Sequence, residues 1–454
     1  MARLPPPPEG PPLRPPLDRL APLGGVEWVT VPESGPGHLF RTVMPILARH
    51  LPPPPPGAPV LLSLFLDLAL LQRADGAKGL LTVVPGHVLD RIRAGEGIVV
   101  FDGATEGRAF RAVHAESLHG ALAAAGIPAS RAAWLQQNRA LGAEYRAHCA
   151  ARGIAPMLTP VADSYGFALW RRLFDADTPP RPPSPPALWP FGFALPDGAP
   201  RRLRWICLNF ALRPHRAVLA AWLLARPEPG HLSISFRRDV GDARAEARFW
   251  ADADWFARGQ PGLIERARAL AAEQLHMPGD AAEFGAPHWR VHSLPVEEIA
   301  AAEIFIVTET EMVWPGLRRW TEKTLKALAS GLPFVVFGNA GTIAGLEEIG
   351  FDVLHGLVDH GYDREPAPER RFAAALDAVR RFLARAPGFT PAELRRLSLA
   401  AAHNRDVFAR QMPRVTVIEP IEAVLGALAV GGPQARAETA SAGGLAATAR
   451  PAGA

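Results

Sequence analysis

Lysine is nearly missing from this chain. Of 49 Lys+Arg, only Lys78, Lys323 and Lys326 are lysine, and the rest are arginine. Cysteine is scarcer still: Cys149 and Cys207 stand far apart and in no C-x-x-C spacing. That excludes a disulfide scaffold and a cysteine zinc site. It fits a reducing compartment, so a cytoplasmic location is expected. The net charge is only +4, and no basic run carries interleaved aromatics, so no nucleic-acid footprint is expected. Long apolar runs are also missing. The most apolar stretch, VLLSLFLDLALL (residues 60–71), contains Asp67 and falls short of the roughly 20 residues that span a bilayer. No transmembrane segment is expected, and a peripheral membrane contact stays open. The N-terminal MARLPPPPEGPPLRPP has no apolar core and does not read as a signal peptide. GNAGTIAG (residues 338–345) is no phosphate-binding P-loop, because no G-K-[ST] follows, and it lacks G-x-G-x-x-G. No G-x-S-x-G elbow is present.

What remains is a chain of 454 residues, 48% hydrophobic and 21% charged, enough for two or three domains with proper cores. Proline marks its organisation. Residues 1–20 are proline-rich and expected to be disordered or extended, and HLPPPPPGAP (residues 50–59) reads as a surface connection. The dense prolines of residues 175–201 can sustain neither a helix nor a central strand, so a linker is placed there. This divides the chain into an N-terminal α/β domain (21–174) and a C-terminal α/β domain (202–430), followed by an Ala/Gly-rich tail (431–454) expected to be disordered.

In the first domain, GLLTVVPG (79–86) and GIVVFDG (97–103) read as buried strands. Residues 130–153 read as one helix from a Ser130 cap to a Gly153 stop. In the second, strands are expected at RLRWICLNF (202–210), HLSISF (231–236), IFIVTET (304–310), PFVVFGN (333–339) and FDVL (351–354). Helices are expected at HRAVLAAWLLAR (215–226) and PERRFAAALDAVRRFLARA (368–386). Short apolar strands alternating with helices imply parallel sheets with helices on both faces. Ligands of such sheets bind beyond the carboxyl ends of the strands, here expected in a cleft between the two domains.

The scarce lysines concentrate at WTEKTLKALASGLPFVVFGNAG (residues 320–341). Thr321 is a good N-cap, Leu325, Leu328 and Leu332 give the helix an apolar side, and Gly331 stops it. Glu322 and Lys323 thus fall in a first helical turn, where free N–H groups and the helix dipole favour an anion. Phosphate bound by Lys323, with ribose hydroxyls bound by Glu322, would make a nucleotide site. In a chain that otherwise uses arginine, two lysines in one turn suggest a task that a guanidinium does not serve. The structural alternative is a surface pair between Glu322 and Lys326 at i,i+4, worth about 0.3–0.5 kcal/mol. Lys323 is therefore expected to meet a phosphate, and Lys326 to pair with Glu322.

The pattern TEK-x₃-AL-x-x-GLP-x-VV-x-G resembles the donor-site motif of the α-1,3-fucosyltransferases, whose fold is GT-B: two Rossmann-like domains facing a cleft. It is more similar still to bacterial and phage glycosyltransferase-like proteins in which a TEKT helix precedes a glycine turn, an LxxLGF-like helix and an acidic D-x-x-YD segment. Here GLEEIGFDVL and VDHGYD (358–363) follow in that order. The likeness covers about 60 residues. It implies that Glu322 contacts a donor ribose and Lys323 the diphosphate. It also implies a strand ending in Asn followed by an arginine that grips the diphosphate. In WICLNFALRPHRAVL these would be Asn209 and Arg216, with Arg213 the second choice.

A strand followed by a basic glutamate, as in that family, matches Glu106 in GIVVFDGATEGRAF, with Asp102 the runner-up and Asp163 a third candidate. Two D-x-D matches, Asp175/Asp177 and Asp252/Asp254, follow no apolar strand and make weak metal sites. The pairs His114/His119 and His355/His360 are five apart and read as ordinary residues. The expected activity is therefore metal-independent, inverting transfer of a sugar from a nucleotide sugar, a GDP-sugar on the resemblance, to a glycan or glycoconjugate, with no cofactor. The alternatives are a nucleotide- or glycan-binding protein without transfer, and a metal-dependent transferase using D-x-D.

Overall fold

The computed structural model describes residues 16–31, 38–66, 70–72, 76–105, 107–174, 191–209, 211–237, 242–260, 262–277 and 295–429. Within them the chain forms two α/β units, Met1–Phe167 with Pro413–Ala454, and Ala168–Met412.

The first unit contains β1 (Glu27–Thr30), α1 (His38–Leu47), β2 (Val60–Phe65), α2 (Lys78–Thr82), α3 (Gly86–Arg93), β3 (Gly97–Gly103), α4 (Ala112–Ala124), β4 (Ala132–Gln136) and α5 (Leu141–Arg152). Helix α6 (Ser164–Phe174) starts in it. The sheet is all parallel in the order β1-β2-β3-β4, and Leu158 and Val161 bridge beside β4. Both faces are buried, as a parallel sheet requires. Val60, Leu62, Val99, Phe101 and Trp134 face a core completed by Ile92, Leu118 and Tyr145, while Leu61, Ile98, Val100 and Leu135 are buried on the other face. Gly97 is dictated by space: a Cβ there would lie 2.9 Å from both the Val60 carbonyl and Ile92 Cγ1.

The second unit holds β5 (Leu203–Leu208), α7 (Pro214–Leu223), β6 (Gly230–Ser235), α8 (Ala243–Phe256), α9 (Leu263–Ala272), β7 (His276–Met277), α10 (Val296–Ala300), β8 (Ala302–Thr308), α11 (Glu322–Ser330), β9 (Phe334–Phe337), α12 (Thr342–Ile349), α13 (Pro368–Leu383) and α14 (Pro391–Pro413). Its sheet runs β7-β6-β5-β8-β9, parallel except for β7. After α14, a π-helical turn (Arg414–Ile418) leads into α15 (Glu419–Ala429), which packs on β3 of the first unit, where Glu422 pairs with Arg19 at 2.7 Å.

Several expectations are corrected. GLLTVVPG is no strand: residues 79–82 lie in α2, from which Leu80 and Leu81 are buried, Val83–Pro85 form a turn, and Gly86 starts α3. The single helix over residues 130–153 is instead β4 followed by α5, and only its Gly153 stop, at φ +64°, stands. FDVL is not a strand, and Leu354 there has φ +64°. Residues 17–20 belong to a 3-10 helix (Leu17–Gly25) with Leu17 and Leu20 buried; residues 1–15 lie outside the described residues. The end of the expected linker packs on the second unit: Gly192 N–H and Ala194 N–H donate to the Ala329 and Ser330 carbonyls, which the end of α11 would otherwise leave open. The units divide at Phe167, and residues 413–429 belong to the first unit, although the sequence reading placed them in the second. Residues 175–190 and the 431–454 tail lie outside the described residues.

Candidate functional site

In the second unit the chain runs from β5 to β6 on one side, then crosses back to β8 on the other. The strand order thus reverses between β5 and β8, and the carboxyl ends of these two strands flank the crevice where open α/β sheets bind ligands. Asn209 follows β5, Glu309 follows β8, and the first turns of α7 and α11 begin just beyond.

Asn209 stitches this point shut from below. Its Oδ1 accepts from Thr308 Oγ1, its Nδ2 donates to Cys207 Sγ at 3.2 Å, and its backbone N–H donates to the Ser233 carbonyl at 2.8 Å. Burial pushes the Cys207 thiol up to about 12, so it stays neutral. Glu309 braces the other side: its Oε1 accepts from the Thr321 N–H at 2.8 Å and from Thr324 Oγ1 at 2.5 Å. Sequence reasoning passed over Glu309; the polar end of IFIVTET was the available signal.

Helix α11 starts as expected. Thr321 is extended at φ −112° and its Oγ1 accepts from the Lys323 N–H at 3.4 Å; Gly331 ends the helix at φ +80°. Glu322 is buried and pairs with Lys323 Nζ at 2.6 Å. Burial pushes its carboxyl up, but the Lys323 and Lys326 charges and the Lys323 hydrogen bond outweigh that and hold it at about 2. The expected surface pair with Lys326 is therefore corrected: Lys326 is buried, and the contact partner of Glu322 is Lys323. Lys323 keeps 20% of its side chain exposed and is the reachable lysine.

The two arginines differ in their surroundings. Arg216 is buried, and its guanidinium donates to the carbonyls of Ala211 (2.8 Å), Thr308 (3.1 Å) and Glu309 (3.1 Å). Burial and the nearby Arg213 lower its pKa to about 10, against the pull of Glu309. It ties the start of α7 to the end of β8 and is not the free grip that the resemblance implies. Arg213, the residue capping α7, is exposed. Arg216 Nε and Glu309 Oε2 have no hydrogen-bond partner among the described residues. Arg213 and Lys323 are the reachable cations beside the starts of α7 and α11, a setting that suits an anion. The start of α12 is not available for one: Asp363 of VDHGYD accepts from the Ile343 and Ala344 N–H groups, each at 3.1 Å.

In the first unit, Asp102 is buried at the end of β3, where it accepts from the Leu39 N–H of α1 (2.9 Å) and the Ala104 N–H (3.0 Å). Asp163 accepts from the Gly166 N–H of α6 at 2.9 Å. Burial raises both carboxyls to about 6, against these hydrogen bonds. Both serve as helix caps sealed from solvent. Glu106 lies outside the described residues, as do Asp175 and Asp177. Asp252 and Asp254 are exposed near the carboxyl end of α8, two residues apart and hence on divergent faces, so they do not converge on one ion. Among the described residues no group of three or more His, Cys, Asp or Glu is placed to hold a metal ion, and no helix is long and apolar enough to cross a membrane. His119 bonds Tyr145 Oη at 2.8 Å and His360 bonds the Val353 carbonyl at 2.8 Å, both ordinary roles. A comparison with models of known protein families finds no match, and none is found among curated proteins.

His215, beside Arg216, bonds the Glu309 carbonyl at 3.0 Å, and burial followed by the Arg216 charge lowers its pKa to about 3. The folded state then binds fewer protons than the unfolded state between about pH 3 and the ordinary value of 6.5, so this contribution to stability is lost as pH falls through that window. Urea denaturation across it should show His215→Gln with a shallower acid loss than wild type, by up to about 1.4 kcal/mol per pH unit. Parallel curves would show that His215 is not held neutral.

Proposed function

We propose that the chain is a glycosyltransferase of GT-B type whose second unit binds a nucleotide-sugar donor. The observation that carries this reading is the placement of the Thr321, Glu322 and Lys323 turn at the point where strand order reverses, with Lys323 and Arg213 reachable beside two helix N-termini. In transfer, an acceptor hydroxyl attacks the anomeric carbon, the bond from that carbon to the diphosphate breaks, and the diphosphate leaves carrying the bonding pair. Lys323, Arg213 and the dipole of α11 would stabilise that charge as it develops. The hydroxyl proton would pass to a carboxylate base. With Asp102 and Asp163 committed as caps, the resemblance leaves Glu106 for this role, on a glycan or glycoconjugate acceptor.

The test is calorimetric titration of GDP, UDP, CDP and ADP, with and without divalent metal, on wild type and Lys323→Ala. One nucleotide is expected to bind, and the variant to weaken it at least tenfold, about 1.4 kcal/mol. Binding of none of the four overturns the reading. The commitment of two of the three candidate bases as caps favours a second reading, nucleotide binding without transfer. Release of free sugar or a glycosylated product from a bound donor would exclude it.

A further inference from the structure

The chain has eleven tryptophans, of which Trp189 and Trp289 lie outside the described residues. Of the other nine, Trp314 alone is exposed, at 43%. A large indole stabilises a fold by being buried, and the remaining eight are buried or half-buried. Trp314 sits on the loop from β8 to α11, at the carboxyl edge of the sheet and nine residues before Lys323. The loop is held at several points. The Trp314 N–H donates to Asn339 Oδ1 at 3.1 Å, and its carbonyl accepts from the Leu317 N–H at 3.4 Å. On either side of it, Met312, Leu317 and Trp320 are buried. Arg371 clamps the carbonyls of Met312 and Gly338, tying the loop to the end of β9, and Gly316 takes φ +72° to close the turn. The backbone is thus fixed while the ring stays open. Such a mount costs little ordering entropy when a flat partner binds.

We propose that the Trp314 indole is the stacking platform for the nucleobase of the nucleoside diphosphate, an inference that rests on the donor-site reading above. The same edge offers cationic groups and helix N-termini for the phosphates. An aromatic face is the complementary surface for the remaining part of such a ligand, because every nucleobase presents a π-face. The residue would add affinity for nucleosides and nothing for the phosphates themselves.

The experiment measures binding of the tightest nucleoside diphosphate and of inorganic pyrophosphate to wild type, Trp314→Ala, Trp314→Phe and Lys323→Ala. Trp314→Ala is expected to weaken the nucleoside diphosphate about tenfold or more and to leave pyrophosphate binding unchanged. Trp314→Phe should recover most of the loss, and Lys323→Ala should weaken both ligands. Unchanged nucleotide binding in Trp314→Ala overturns the platform, and so does an equal loss of both ligands, which would show a disturbed loop. Both of those outcomes leave the donor site standing if Lys323→Ala still lowers affinity. Failure of wild type to bind any nucleoside diphosphate overturns the platform and the donor site together.

Discussion

Replacing Glu303 with alanine is expected to lower the unfolding free energy of the second unit by about 3–5 kcal/mol. Glu303 on β8 and Arg204 on β5 form an ion pair at 2.5 Å with side chains only 1% and 6% exposed. Glu303 Oε1 also accepts from the Gly388 N–H at 2.7 Å, and Arg204 donates to the Leu383 and Arg385 carbonyls at 3.1 and 2.9 Å. Removing the carboxylate leaves a buried guanidinium facing only carbonyl dipoles and strips the Gly388 N–H of its acceptor. That is far costlier than the net worth of the intact pair, because burying a charge is tolerable only when it is matched. Urea denaturation should therefore show the double replacement Arg204→Met, Glu303→Leu to be much less damaging than Glu303→Ala alone. A single-variant loss below about 1 kcal/mol would mean that the pair behaves as a solvated one. Both residues stand second in their strands, at the amino ends and away from the candidate site. Nucleotide affinity of the folded fraction should be unaffected.

The same pair shows where sequence reading stops. Strands β3, β5, β6, β8 and β9 were legible because each is a short apolar run bounded by glycine, proline or polar residues. Nothing in RLRWICLNF announces that Arg204 turns inward, since its partner lies 99 residues away. Local ambiguity caused the other misreadings. Residues 132–136 are rich in alanine, leucine and glutamine, which suit a helix, yet all five are buried between parallel neighbours, and the sheet overrides propensity. GLLTVVPG carries β-branched residues, but a run so short has no period that separates a strand from a buried turn. The helix from 419 to 429 has an apolar side, but which unit it covers is a property of the whole chain. At the candidate site, Thr321, Glu322 and Lys323 were legible because capping and helix position are local. Glu309 was not, since its value comes from meeting Thr321 and Thr324 across a loop of eleven residues.

Arg216 and Arg213 are expected to separate stability from binding. Arg216→Ala should destabilise the second unit by on the order of 3 kcal/mol, because three carbonyls at the ends of β5 and β8 lose a charged donor. Arg213→Ala breaks no hydrogen bond of its side chain at the α7 start and should leave stability within about 0.5 kcal/mol. In binding the order reverses. An exposed guanidinium at a helix start is free to form paired hydrogen bonds with phosphate oxygens. Its loss should weaken a nucleoside diphosphate about tenfold, more at low ionic strength than at high. Arg216→Lys separates the two roles further, since one ammonium cannot span three carbonyls but keeps the charge. It should be destabilised nearly as much as Arg216→Ala while binding nucleotide normally when folded. If instead Arg213→Ala binds as wild type and Arg216→Lys does not, the diphosphate is held by the buried arginine through Nε. The crevice would then have to open further than its closed carbonyl clamp allows.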